Sequence, residues 1–204
     1  MAKDVEIDSD EVKLIGALYG ELPAGRAAVL CHGANWDASG WVEIAPRFPE
    51  RRVAALALNF RGYGGSSGRT TRASALKDVE NAAVWLRTNG ARELVLVGAS
   101  MGGSAVLRAS ASVAPECVVA ISAPVRAISE DDAKRILGRK LFVCAERDSL
   151  GAAGAVQQAF ADAEEPKVLR FLPGREHSSA LLRGAHGDDA LETILSFVAE
   201  GLGR

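Results

Sequence analysis

The sequence predicts an α/β protein, a mostly parallel central sheet of about eight strands covered by helices on both faces as a three-layer α/β/α sandwich. Three observations predict it. Short β-rich apolar runs alternate with helical patterns along the chain, as when each strand is followed by a crossover helix. Several runs are apolar without a break, among them AAVLC at 27–31, LVLVG at 94–98 and CVVAIS at 117–122, which suits strands buried on both faces. The 204 residues, 48% of them apolar, suffice for one sizeable core and leave little length for another, so a single domain over 1–204 is expected.

In chain order, Val5–Ile7 and Lys13–Tyr19 alternate polar and apolar residues and predict an antiparallel edge. Ala27–Cys31, Val53–Phe60, Leu94–Val97, Cys117–Ser122, Leu141–Ala145 and Val168–Leu172 supply the remaining strands. Between them, Ser74 can cap a helix in which Leu76, Val79, Ala83 and Leu86 share a face, with Asp78 and Glu80 suited to its N-terminal half. Further helices are expected over Met101–Val113, Ser129–Leu137 and Ala152–Ala163. A final one starts at Asp188, with Leu191, Ile194, Leu195 and Val198 turned inward. Trp41, Ile44 and Phe48 also fall on one face of a helical segment.

Composition excludes several classes of function. A formal net charge of −2 without like-charge runs argues against nucleic acid or an anionic membrane as the main partner. The N-terminal MAKDVEIDSDEVK lacks the basic flank and apolar block of a signal peptide, and a cytoplasmic location is expected. Cys31, Cys117 and Cys144 each lie in an apolar run and form no CxxC pair, so buried reduced thiols are expected. Three scattered histidines lack metal-ligand spacing. The glycines over 62–68 are not followed by the Lys-Ser/Thr of a phosphate loop, so neither metal nor other cofactor is expected.

The chemistry-bearing feature is Gly98-Ala99-Ser100-Met101-Gly102, placed directly after a strand and before a helical pattern. A sharp strand-to-helix turn of this kind strains the serine and exposes its Oγ, while small residues two before and two after it let neighbouring backbone approach. Free N–H groups and the positive dipole end of the following helix then point at the hydroxyl. Ser100 is the candidate nucleophile.

Four blocks carry a family resemblance: LCHGANWDASGW (30–41), NFRGYGGSSG (59–68), VGASMGGS (97–104) and VCAERDSL (143–150). Through them, nearly the whole chain resembles the α/β-hydrolase superfamily, in its small members without a cap domain. That resemblance implies the chain order serine, acid, histidine. Asp148 then stands at the acid position, with a helix-capping role as its other reading and Glu146 in reserve. His177, in the loop after the last strand, is the preferred base, and His186, before the last helix, is its rival. His32 belongs to the His-Gly turn and is expected to position that loop. An oxyanion hole would take the backbone N–H of Met101 and, by resemblance, that of Ala34, with Asn35 as alternative.

Only one short helix separates the sixth and seventh strands, so an open site walled by loops is expected. Trp36, Asn35 and Tyr63 are candidates for the substrate pocket. Arg61 and Arg69 can meet an acidic substrate, but solvent exposure or structural pairing is the role expected of both. The implied function is hydrolysis of a carboxylic ester or thioester, a small-molecule substrate, through an acyl-Ser100 intermediate. A catalytically silent ligand- or partner-binding protein, and an acyltransferase using the same three residues, are the alternatives.

Overall fold

In the computed structural model, which describes residues 2–200, the apolar runs form one eight-stranded sheet. β1 (Lys3–Ser9) and β2 (Val12–Tyr19) make an antiparallel hairpin that buries alternate residues, as the polar alternation of both segments dictates. β2 runs antiparallel to β4 (Val53–Leu58), which pairs in parallel with β3 (Ala24–Cys31). β5 (Ala91–Ala99), β6 (Cys117–Ile121), β7 (Arg139–Ala145) and β8 (Lys167–Leu172) extend the parallel part, in the order β1-β2-β4-β3-β5-β6-β7-β8. Every residue of β4 and β6 is buried, which explains why these strands carry no polar face.

Two apolar clusters lie on opposite sides of this sheet. One gathers Val79, Leu86, Val106 and Val156 from α1 (Arg72–Thr88), α2 (Met101–Val113) and α4 (Ala152–Asp162). The other gathers Ile194, Leu195 and Val198 of α5 (Gly187–Ala199) with Trp41, Ile44 and Phe48 from the segment between β3 and β4. These are the three layers expected from the alternation. Only α3 (Glu130–Lys134) stands between β6 and β7, so among the described residues no cap covers the C-terminal edge of the sheet. No helix there is long and apolar enough to cross a membrane.

Local details differ from the sequence expectations. α1 starts one turn earlier than expected: Thr71 is its cap, with Oγ1 accepting from Ser74 N–H at 3.1 Å and Ser74 Oγ accepting from Thr71 N–H at 2.7 Å. Ser74 is therefore the returning partner of a reciprocal capping box. Trp41, Ile44 and Phe48 are all buried, but three short 3₁₀ turns (Ala38–Trp41, Ala45–Arg47 and Pro49–Arg51) stand in place of a helix, with Ile44 and Phe48 as the residues that flank the second. Pro46 and Pro49 withhold the amide hydrogens that a continuous helix needs. α5 begins at Gly187, with His186 in the N-cap position.

Topology also sets where a site can form. The chain leaves β3 for β4 on one side and returns to β5 on the other, with Cys31 opposite Gly98. The loop after β3 and the turn after β5 therefore emerge side by side, at the switch point where open α/β sheets leave a crevice.

Candidate active site

β5 ends at Ala99 and α2 starts at Met101, so Ser100 alone makes the turn. Its φ of 53° and ψ of −111° are a strained backbone conformation for a residue with a Cβ. The turn is held from both sides: Ser100 N–H donates to Ile121 O on β6 at 2.9 Å, and Ser100 O accepts from Ser104 N–H at 2.9 Å. A Cβ on Gly98 would lie 2.5 Å from the Gly102 carbonyl carbon, and one on Gly102 would lie 2.6 Å from that of Cys31. Both contacts are with backbone, so the turn needs glycine on each side. Gly102 N–H also donates to His32 O at 3.1 Å, binding the start of α2 to the loop after β3.

His177 comes to this turn from the loop after β8. Its Nε2 lies 2.8 Å from Ser100 Oγ, and its Nδ1 lies 2.9 Å and 2.8 Å from the two carboxylate oxygens of Asp148. A carboxylate only accepts, so the hydrogen sits on Nδ1 and the Nε2 lone pair faces the serine hydroxyl. The Asp148 side chain is fully buried, and its Oδ1 also accepts from Leu150 N–H at 3.0 Å and Ala152 N–H at 3.3 Å at the start of α4. The capping reading and the histidine contact therefore hold for the same oxygen. Glu146 points to solvent, and His186 stands at the start of α5; the ring against Ser100 is that of His177.

The sequence did not signal how His177 is held. Ser122 and Ser178 both have left-handed backbone, with φ of 49° and 63°. Ser178 N–H donates to Ser122 Oγ at 3.1 Å, and Ser122 N–H donates to Val143 O at 2.8 Å, so the residue after the histidine is pinned to β7 through the end of β6. Strained serines grouped around one histidine fit a site that the surrounding fold over-determines.

On the other side of Ser100, the loop after β3 passes close enough that a Cβ on Gly33 would lie 3.4 Å from Ser100 Cβ. Among the described residues, the N–H groups of Met101, Ala34 and Asn35 have no hydrogen-bond acceptor in the protein. Tyr63 OH donates to Ala34 O at 3.0 Å and steadies this loop. His32 supports it from below: Nε2 accepts from Phe60 N–H at 3.2 Å, and Nδ1 donates to Gly33 O at 2.8 Å. Its ring lies edge-on between those of Phe60 and Tyr63, and burial pushes its pKa down. Asn59, not singled out from the sequence, joins the neighbouring loops, its Oδ1 accepting from Ala38 N–H at 2.6 Å and its Nδ2 donating to Gly64 O at 3.1 Å.

Burial raises the thiols of all three cysteines, those of Cys117 and Cys144 to about 12, so none supplies a thiolate near neutral pH. A cavity of about 500 Å³ opens beside Ser100 and Met101, with Tyr63 on its wall. Asn35 and Trp36 line a second hollow of about 350 Å³ that shares Tyr63 with the first. The Arg61 guanidinium is taken up by a structural pair, 2.6 Å from the buried carboxylate of Asp78.

A serine elbow after β5 of a sheet in this order, with no cap above it among the described residues, defines a protein of the cap-less α/β-hydrolase class. The sequence model of the alpha/beta hydrolase family matches residues 28–199, and the chain belongs to that family. Uncharacterized protein Rv2307c of Mycobacterium tuberculosis is 24% identical to it over 228 residues, covering 97% of this chain and 80% of the relative. Among solved structures, XC6422 from Xanthomonas campestris, an α/β serine hydrolase without lid, superposes with a TM-score of 0.81 at 20% identity, over 97% of this chain and 93% of that one. The Pyrococcus furiosus esterase Pf2001 superposes with a TM-score of 0.82 at 20% identity, over 97% and 91%. At such identities these likenesses establish a shared fold.

Proposed function

We propose that the chain hydrolyses carboxylic esters or thioesters through an acyl-enzyme on Ser100. The observation that carries this reading is the 2.8 Å approach of His177 Nε2 to an Oγ held on a strained turn, with Asp148 on the opposite ring nitrogen. His177 takes the hydroxyl proton as Oγ bonds to the substrate carbonyl carbon. The negative oxygen of the tetrahedral intermediate receives the unpartnered N–H groups of Met101 and Ala34, and Asp148 stabilises the imidazolium. His177 returns the proton to the departing alcohol or thiol. A water molecule, deprotonated by the same ring, then attacks the acyl-Ser100 carbonyl and releases the acid and free serine. The esterase activity named for Pf2001 and the serine hydrolase description of XC6422 support this assignment on the shared fold.

Two measurements test it. The protein is expected to turn over short-chain p-nitrophenyl esters and to be labelled by a fluorophosphonate on the peptide that carries Ser100. Ser100→Ala is expected to abolish both while keeping the circular-dichroism spectrum of the parent. A folded wild-type protein that neither cleaves the esters nor takes the label would remove the assignment.

A further inference from the structure

Three arginines border the cavity beside Ser100: Arg72 in the first turn of α1, Arg108 two turns along α2 and Arg126 in the loop after β6. Among the described residues, none of them has a carboxylate within 4.0 Å. Arg61, by contrast, is consumed by Asp78. Arg108 is half-buried, and its one hydrogen-bond partner among the described residues is a neutral acceptor, the Arg72 carbonyl oxygen at 3.2 Å. That bond holds its guanidinium over the start of α1, where the Arg72 and Ala73 N–H groups have no acceptor among the described residues. A further hollow of about 160 Å³ shares Arg72 and Arg108 with the cavity beside Ser100, and its lining includes Asp132, which among the described residues forms no ion pair with either.

Guanidinium groups around one cavity raise its positive potential, and among the described residues none of the three is held in an ion pair. An anion entering the cavity meets planar donor forks suited to carboxylate or phosphate oxygens, near the positive dipole end of a 17-residue helix whose first residue, Arg72, lines the cavity. Ser100 lines the same cavity. We infer that the ester taken by this site carries an anionic group, a carboxylate or a phosphate, received by Arg108 together with Arg72 and Arg126. This inference rests on the reading of Ser100 as a hydrolytic nucleophile. The contact is remote from the reacting carbonyl, so it belongs to binding and is expected chiefly in KM.

The test pairs p-nitrophenyl hexanoate with mono-p-nitrophenyl adipate, which have equal chain length and differ in a terminal carboxylate. The adipate ester is expected to show a KM lower by about tenfold, narrowing at about 0.5 M NaCl. Arg108→Gln is expected to bring the ratio of the two KM values close to one. Arg126→Gln, on an exposed loop where the fold is least at risk, is expected to reduce that ratio. Competitive inhibition by hexanoate and by hexyl phosphate, each against hexanol, separates carboxylate from phosphate recognition. Equal KM values for the two esters, a preference that survives the Arg72→Gln/Arg108→Gln/Arg126→Gln triple variant, or inhibition no better than that by hexanol overturns the anionic substrate and leaves ester hydrolysis standing. Absence of turnover together with absence of Ser100 labelling overturns the hydrolase reading, and this inference with it.

Discussion

At the scale of single residues, the site depends on which histidine meets Ser100. His177 and Ser100 are 77 positions apart, and a hydrogen bond of 2.8 Å joins them. His177→Ala is expected to lower kcat for p-nitrophenyl esters by about 10⁴-fold or more, because the nucleophile loses its base. His186→Ala, at the start of α5, is expected to stay within about twofold of the parent, as for a surface change remote from the chemistry. Loss of turnover in the second variant and its retention in the first would reverse the assignment. Ser100 was legible in the sequence because strand, turn and helix follow one another within a few residues, so its geometry is local. For His177 the sequence offered a preference over His186, from its place in the loop after the last strand, and no more, because packing around β7 and α5 sets the path of both segments.

Among the elements, α1 shows how a helix residue can act far from its own helix. Asp78 reads from the sequence as a helix-dipole residue, yet it is fully buried. It accepts from the Arg61 guanidinium at 2.6 Å and 2.8 Å, from Arg61 N–H at 3.0 Å and from Ser9 Oγ at 3.1 Å. One carboxylate thus ties α1 to the end of β1 and to the loop after β4, the loop that carries Tyr63 to the cavity. Asp78→Asn takes from the mostly buried Arg61 its close counter-charge and leaves only the exposed Asp10 carboxylate at 4.0 Å, and a loss of about 3 kcal/mol of stability is expected, as for one broken partner of a buried pair. Chemical denaturation checks this: the midpoint should fall at unchanged m-value. An unchanged midpoint would mean that solvent stands in for the carboxylate.

Across the whole molecule, stability is coupled to pH through the loop that frames the site. Burial places the His32 pKa below its ordinary value of 6.5, because the desolvated imidazolium is disfavoured. Below about pH 6.5 the unfolded chain therefore binds more protons than the folded one, and stability falls as pH drops towards the folded-state value. Thermal unfolding between about pH 7.5 and pH 5 is expected to show a declining Tm, with a shallower slope in His32→Asn. Equal slopes in the two proteins would assign the decline to other groups.

The sequence by itself determined the α/β class, the run of eight strands and the position of the serine. Continuous apolar runs and a glycine-flanked turn are properties of neighbouring residues, and local sterics read them directly. It misplaced the start of α1 and the form of the segment around Trp41, because a reciprocal cap at Thr71 and two prolines outweighed the apolar spacing. Only the tertiary structure brought Asp148 and His177 to Ser100, removed Arg61 from candidacy and set Arg72, Arg108 and Arg126 around one cavity. An arginine looks the same in a sequence whether or not a carboxylate lies beside it. Its partner is chosen by the crossing of strands and the docking of helices, which bring residues far apart in the chain within a few ångströms.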